Sequence, residues 1–122
     1  MRPLTHPSID DVSVEAILHA LSDPVRVAIY AELADSGCAQ TCSTFLTIED
    51  RDIPKSTLSQ HFRVLREAGL IHSERQGVEM RNTSRCGEIE QRFPGLIGAI
   101  MEAHRVQSAE RARAARRRAK GS

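Results

Sequence analysis

A mainly α-helical domain carrying one small β-hairpin is the fold this sequence predicts, on three observations. Apolar residues recur at helical spacing, most clearly at Leu58, Phe62 and Leu65, which stand at i, i+4 and i+7. Aromatic residues make up only 3% of the chain, so the core must come from Leu, Ile, Val and Ala, which suits closely packed small helices better than a sandwich or barrel. Two extended runs, Leu70–Arg75 and Val78–Ser84, flank a Gln76-Gly77 turn. A chain of 122 residues is long enough for one such domain and too short for two.

Each element follows from local signals. Residues 1–10 include Pro3 and Pro7 and read as a flexible arm. Val12 to about Leu21 is a short apolar helix. Asp23-Pro24 starts a second, with Asp as N-cap and Pro in the first helical position, and Val25, Ile29 and Leu33, with Ala28 alongside, face inward until Ser36-Gly37. Cys42 to about Ile48 reads as a third, short helix capped by Thr41, with Phe45 and Leu46 toward the core. Glu49, Asp50 and Asp52 fill a turn before Pro54, and Pro54–Ile71 is an amphipathic helix stopped by Gly69. Short helix, turn and amphipathic helix make a helix-turn-helix, and a hairpin after it makes a wing whose tip carries Arg75, Gln76 and Gly77 with Arg81 returning.

Glu88 to Val106, entered through Phe93-Pro94-Gly95, is the longest expected helix. Its stripe of Leu96, Ile97, Ile100 and Met101 exceeds what one small domain can cover, which predicts homodimerisation through the first and last helices. The winged domain is thus expected over residues 11–106, followed by a basic, Ala-rich tail at 107–122 that is either helical or disordered. Such a tail is usually a solvated end, although it can add non-specific DNA affinity.

The outer face of the Pro54–Ile71 helix carries the functional signal. Lys55, Ser56, Thr57, Ser59, Gln60 and Arg63 stand where an ordinary surface helix would place Glu and Lys in bulk. Several of these are poor helix formers that hydrogen-bond well to base edges and phosphates. Arg75 and Arg81 on the wing can reach a neighbouring minor groove or its phosphates. These eight residues are the candidate contacts to double-stranded DNA; the bland alternative is a surface helix whose Ser59 bonds backbone and whose His61 merely packs.

The charge distribution cuts both ways. Residues 1–104 hold 10 Lys and Arg against 15 Asp and Glu, a net of −5, and residues 105–122 hold 7 against 1, a net of +6. An acidic body opposes DNA binding, but from Arg51 to Arg85 seven basic residues outnumber four acids. A winged helix used for protein docking, without specific DNA binding, is therefore the rival reading. No apolar run reaches the ~18 residues of a membrane span and the N-terminus has no signal-peptide core, so a cytoplasmic location is expected. An odd count of three cysteines argues against a secreted disulfide framework. No phosphate-binding loop, nucleophile elbow or paired carboxylates point to an enzyme.

The stretches ALSDPVRVAIYAEL (Ala20–Leu33), PKSTLSQHFRVLREAGLI (Pro54–Ile71) and IHSERQGVEMRNTSR (Ile71–Arg85) together resemble the ArsR/SmtB-type winged helix-turn-helix repressors. The resemblance implies a dimer that binds a palindromic operator and leaves it when an inducer binds, with Lys55, Ser56, Ser59 and Gln60 at positions that meet DNA. The family's metal-sensing patterns transfer poorly. Of last-helix ligands only Glu88, Glu90 and His104 are candidates, and in place of a Cys-x-Cys pair this chain has Cys38-x-x-x-Cys42, with Cys86 far along the sequence.

Three roles for the cysteines stay open. Thiolates of Cys38, Cys42 and Cys86 can bind a soft metal or metalloid ion, or act as a redox or reactive-sulfur pair. Cys42 can equally be a small buried hydrophobe. The histidines show no paired ligand spacing; His6 and His72 read as solvated and His104 as a dimer-surface residue.

Overall fold

Asp23 sets the register of the first helical pair. Its Oδ1 accepts from the N–H groups of Val25 at 2.8 Å and Arg26 at 3.1 Å, so the cap expected from Asp23-Pro24 is made. The computed structural model describes residues 4, 6–36, 40–41, 47–48 and 51–121, and structural statements below concern these residues. After a short 3₁₀ turn at Ile9–Asp11, α1 spans Val14–Ala20 and α2 spans Pro24–Ser36. Two short strands follow, β1 at Gln40–Thr41 and β2 at Thr47–Ile48, then β3 at Arg51–Asp52. Helix α3 spans Lys55–Glu67, β4 Ile71–Gln76, β5 Glu79–Ser84, α4 Cys86–Arg92 and α5 Leu96–Lys120.

The expected helix over Cys42–Ile48 needs correction at its end. Thr47 and Ile48 are strand residues, paired antiparallel with Asp52 and Arg51 respectively, and both are β-branched, which favours a strand. Residues 42–46, including Phe45 and Leu46, lie outside the described residues.

Helix α3 ends as its sequence predicts. Gly69 takes a φ of +84°, its N–H donates to Arg66 O at 3.0 Å, and Leu70 N–H donates to Leu65 O at 3.0 Å, which together make a Schellman stop. Gly69 is required twice over, because a Cβ there would also collide with Val12 Cγ2. The chain then turns straight into β4.

The wing is β4 paired with β5, and β1 joins the other side of β5 to give the order β1-β5-β4. The expected turn is displaced by one residue: Gln76 pairs with Glu79, so Gly77 and Val78 form the turn, with Gly77 at φ +63°. The strands bury one face only. Ile71 and Ser73 point inward on β4, with Asn82 opposite Ser73.

The core gathers Ile17, Ile29, Leu33, Leu58, Phe62, Leu65, Leu70, Ile71, Ile89 and Ile97. Tyr30 belongs to it as well, fully buried, its hydroxyl accepting from Ser84 Oγ at 2.8 Å. Burial pushes the Tyr30 pKa up to about 12. Of the stripe expected on α2, Ile29 and Leu33 are buried and Val25 is half-buried.

The last helix also differs from expectation. Phe93-Pro94-Gly95 is a break inside it, not an entry to it, because Pro94 lacks the N–H that a continuous helix would need. Two helices result. Gly95 N–H donates to both carboxylate oxygens of Glu90 at 3.1 Å, so the joint supplies its own partner for the donor. Helix α5 then runs 25 residues without interruption, through the boundary at 106–107 and into the basic segment.

Residues 6–12 lie against the body. Arg85 donates to Pro7 O at 2.8 Å, and Arg92 donates to both Ile9 O and Val12 O. Among the described residues no helix is long and apolar enough to cross a membrane.

Candidate nucleic-acid interface

Leu58, Phe62 and Leu65 anchor α3, each at most 2% exposed, and so fix which side of the helix faces out. Ser56, Ser59, Gln60 and Arg63 stand at i, i+3, i+4 and i+7, within one arc of the exposed face. Lys55 and Thr57 flank that arc and are exposed too. Pro54 occupies the N-cap position and makes no side-chain cap to the first-turn N–H groups that point out of the amino end. An exposed helix face of hydroxyl, amide and guanidinium groups, with backbone donors at its amino end, can hydrogen-bond both base edges and phosphate oxygens. All six helical candidates therefore share one accessible surface.

Both wing candidates are exposed, but their surroundings differ. Arg75 lies close to the turn, with only Gln76 between it and Gly77. Arg81 pairs in register with Glu74, an opposite charge on the same outer face, which reduces the positive potential it offers. The displaced turn brings out a residue the sequence reading placed in a strand: Val78 is fully exposed at the wing tip. Its signal was available, since Gly-Val in a two-residue turn satisfies the positive φ at Gly77.

Three side chains hook α3 to the wing. Arg66 Nε donates to Ser73 Oγ at 3.4 Å, Ser73 Oγ donates to Asn82 Oδ1 at 2.7 Å, and Asn82 Nδ2 donates to Met80 O at 3.3 Å. Ser73 and Asn82 are at most 2% exposed. Their hydrogen bonds are shielded from water, which makes the pair stiff and its disruption costly. Neither residue stood out in the sequence, because a polar pair in a strand looks the same whether it faces in or out.

A second tie runs from the arm to the open edge of the wing. Ser73 N–H donates to His6 Nε2 at 2.9 Å, so that nitrogen must carry a lone pair. The His6 ring stacks on His72 with centroids 4.4 Å apart, so His6 is not the solvated residue expected. Burial lowers its pKa, helped by the nearby positive charges of His72, Arg66 and Arg85 and opposed by Glu74. His72, which is exposed, lies 3.1 Å from Glu74 Oε1 through Nε2.

The effector candidates do not converge. Glu88 accepts from Arg85 Nη2 at 2.9 Å, which lowers its pKa, and Glu90 serves the Gly95 N–H. His104 Nε2 lies 3.4 Å from Ser108 Oγ, farther along α5. Among the described residues no group of three or more His, Cys, Asp or Glu side chains could hold a metal ion. Cys86 is half-buried, and its N–H donates to Ser84 Oγ at 3.1 Å. Cys38 and Cys42 lie outside the described residues.

Comparisons with known proteins agree with this geometry. Residues 21–74 match the helix-turn-helix domain family. The chain is similar to the HTH-type transcriptional repressor SmtB of Mycobacterium tuberculosis, 38% identical over 64 residues, which are 52% of this chain and 44% of that protein. It thus spans less than half the length of that relative. It is also similar to the uncharacterized HTH-type transcriptional regulator YceK of Bacillus subtilis, 33% identical over 97 residues, covering 80% of this chain and 95% of that one. An ArsR-like transcriptional regulator from Rhodococcus sp. RHA1 shares the fold, with a TM-score of 0.54 at 23% identity over 80% of this chain and 89% of that one.

Proposed function

Because the chain belongs to the ArsR/SmtB-type helix-turn-helix transcriptional regulators, we propose that it acts as a homodimeric repressor. Two copies would lay Lys55–Arg63 in successive major grooves of a palindromic operator, ~34–36 Å apart, with Arg75 and Arg81 on flanking backbone. The observation that carries this reading is the exposed arc of Ser56, Ser59, Gln60 and Arg63, backed by buried Leu58, Phe62 and Leu65. Dimerisation is supported by apolar surface left on α1 and α5: Leu18 is 51% and Val106 45% exposed. Beside them an open groove of about 500 Å³ runs between Leu21, Val27, Ile100 and Ala103.

Release by an inducer acting on thiols is the part of the proposal that rests on the cysteines. Cys86 supports it through position, since its backbone bonds the same Ser84 hydroxyl that donates to buried Tyr30. The Cys86 side chain packs against the core, so chemistry on the thiol would press on it. Soft metals, metalloids and reactive sulfur species are the inducer classes such thiols take. Replacing Cys38, Cys42 and Cys86 by Ser in turn should abolish release by the cognate inducer in at least one variant; release that persists in all three rules thiols out.

Gel-shift titration against the DNA upstream of the protein's own gene tests the main reading. The expectation is a retarded complex that survives excess random competitor. The acidic body, net −5 over residues 1–104, favours the rival docking role. Weak binding abolished by moderate salt, without preference between the two DNAs, would decide for it.

A further inference from the structure

The C-terminal part of α5 carries charge that no ion pair takes up among the described residues. From Arg111 to Lys120 there are six basic residues and no acid, and all six are exposed. Among the described residues no ion pair holds any of them; the ion pair on this helix is Arg105 with Glu102, farther back. The segment is not a loose end but the continuation of one helix. Alanine and arginine favour that conformation, and Arg117, Arg118 and Lys120 oppose the negative carbonyl end.

The helical period sorts these charges. Arg113, Arg116, Arg117 and Lys120 stand at i, i+3, i+4 and i+7, which gathers four cations on one face over a rise of ~10 Å. Ala114, Ala115 and Ala119 fall on the other sides of the helix, so no apolar residue interrupts this row of cations. No large apolar residue follows Val106, so a lipid surface would find charge but no insertion face. A dense row of point cations without an apolar partner fits a polyanion.

We infer that this face of α5 is a phosphate-binding arm, which clamps the DNA backbone outside the contacts made by α3 and the wing. The inference rests on the DNA-binding reading above and adds a second, sequence-independent surface to it. Each protomer would neutralise about four phosphates through Arg113, Arg116, Arg117 and Lys120.

Fluorescence anisotropy on the full chain tests it, with the duplex from upstream of its own gene and a scrambled duplex of equal length, across a series of KCl concentrations. Two variants are compared, one with Gln at all four positions and one with Arg113, Arg116 and Arg117 changed to Lys. Glutamine should flatten the log–log salt slope by about 3 to 4 per protomer on both duplexes equally. Their affinity ratio should not move, and the Lys variant should keep the wild-type slope. Circular dichroism checks that both variants retain the helix; if the Gln variant loses it, truncation after Glu110 must give the same flattening.

An unchanged slope on both duplexes means the arm stays in solvent and overturns the proposal. So does an unchanged slope with altered sedimentation, which would seat the arm on the acidic face of a second copy. A wild-type protein that binds neither duplex defeats the DNA-binding reading itself.

Discussion

Arg26 on α2 reaches His61 on α3, with Nη1 3.4 Å from Nδ1, while its Nε donates to Ala20 O at the end of α1 at 2.7 Å. One guanidinium thus ties α3 to both helices that precede it. Arginine has no lone pair to offer, so His61 must accept through Nδ1 and stay neutral. Burial lowers the His61 pKa, Asp23 opposes that shift, and the positive charge of Arg26 adds to it. Arg26→Met should therefore raise the pKa of His61 in an NMR titration and cost about 1–3 kcal/mol of unfolding free energy. A His61 titration that does not move would show that the guanidinium does not face the ring.

Gly69 leaves little room for any other residue. Gly69→Ala combines a Cβ at φ +84° with a collision at Val12, and it should lower stability by about 2–4 kcal/mol. Urea unfolding with an unchanged m-value is the measurement. A loss under about 0.5 kcal/mol, the usual range for a harmless surface change, would mean the stop is not held.

Acid should loosen the arm. The pKa of His6 is lowered in the folded chain, so below the ordinary value of 6.5 the unfolded state binds more protons than the folded one. The stabilisation from the neutral ring is present above pH 6.5 and is lost as pH falls through the folded-state value. His6→Phe keeps a ring against His72 but removes the acceptor for Ser73 N–H. Its stability should vary less with pH below 6.5 than that of the wild type; parallel curves for the two proteins would dismiss the tie.

Gln60 and Arg81 should fail differently. Gln60→Ala, if the amide reads a base, should cost about 1–3 kcal/mol on the preferred duplex and relax specificity. Equal losses on preferred and random DNA would remove Gln60 from the base readers. Arg81→Ala should weaken both duplexes alike and lower the salt slope by about 1. An unchanged slope would indicate that Glu74, its register partner, already holds the charge.

The winged architecture was legible because its determinants are local. Periodicity identified Leu58, Phe62 and Leu65, and the residue types at Asp23, Pro24 and Gly69 marked the helix ends. Determinants that act across the fold were not legible. Pro94 reads from sequence as an entry to the last helix, since a proline near a helix end looks alike on either side of a break. Ser73 and Asn82 are buried through pairing with each other, and the Arg26–His61 contact spans 35 positions in the chain. The candidate face on α3 emerged as expected because the exposed side of a helix is the complement of its apolar stripe.

The hydrogen bonds from Arg66 through Ser73 to Asn82 make α3 and the wing one stiff piece. In the complex proposed above, such a head would not flex to suit a poorly shaped target, so the duplex would supply the bending. Steps that kink easily between the major-groove and flanking contacts would then be favoured even where no side chain touches a base. The mechanical compliance of the double helix, as much as its letters, would then become part of what the proposed repressor selects.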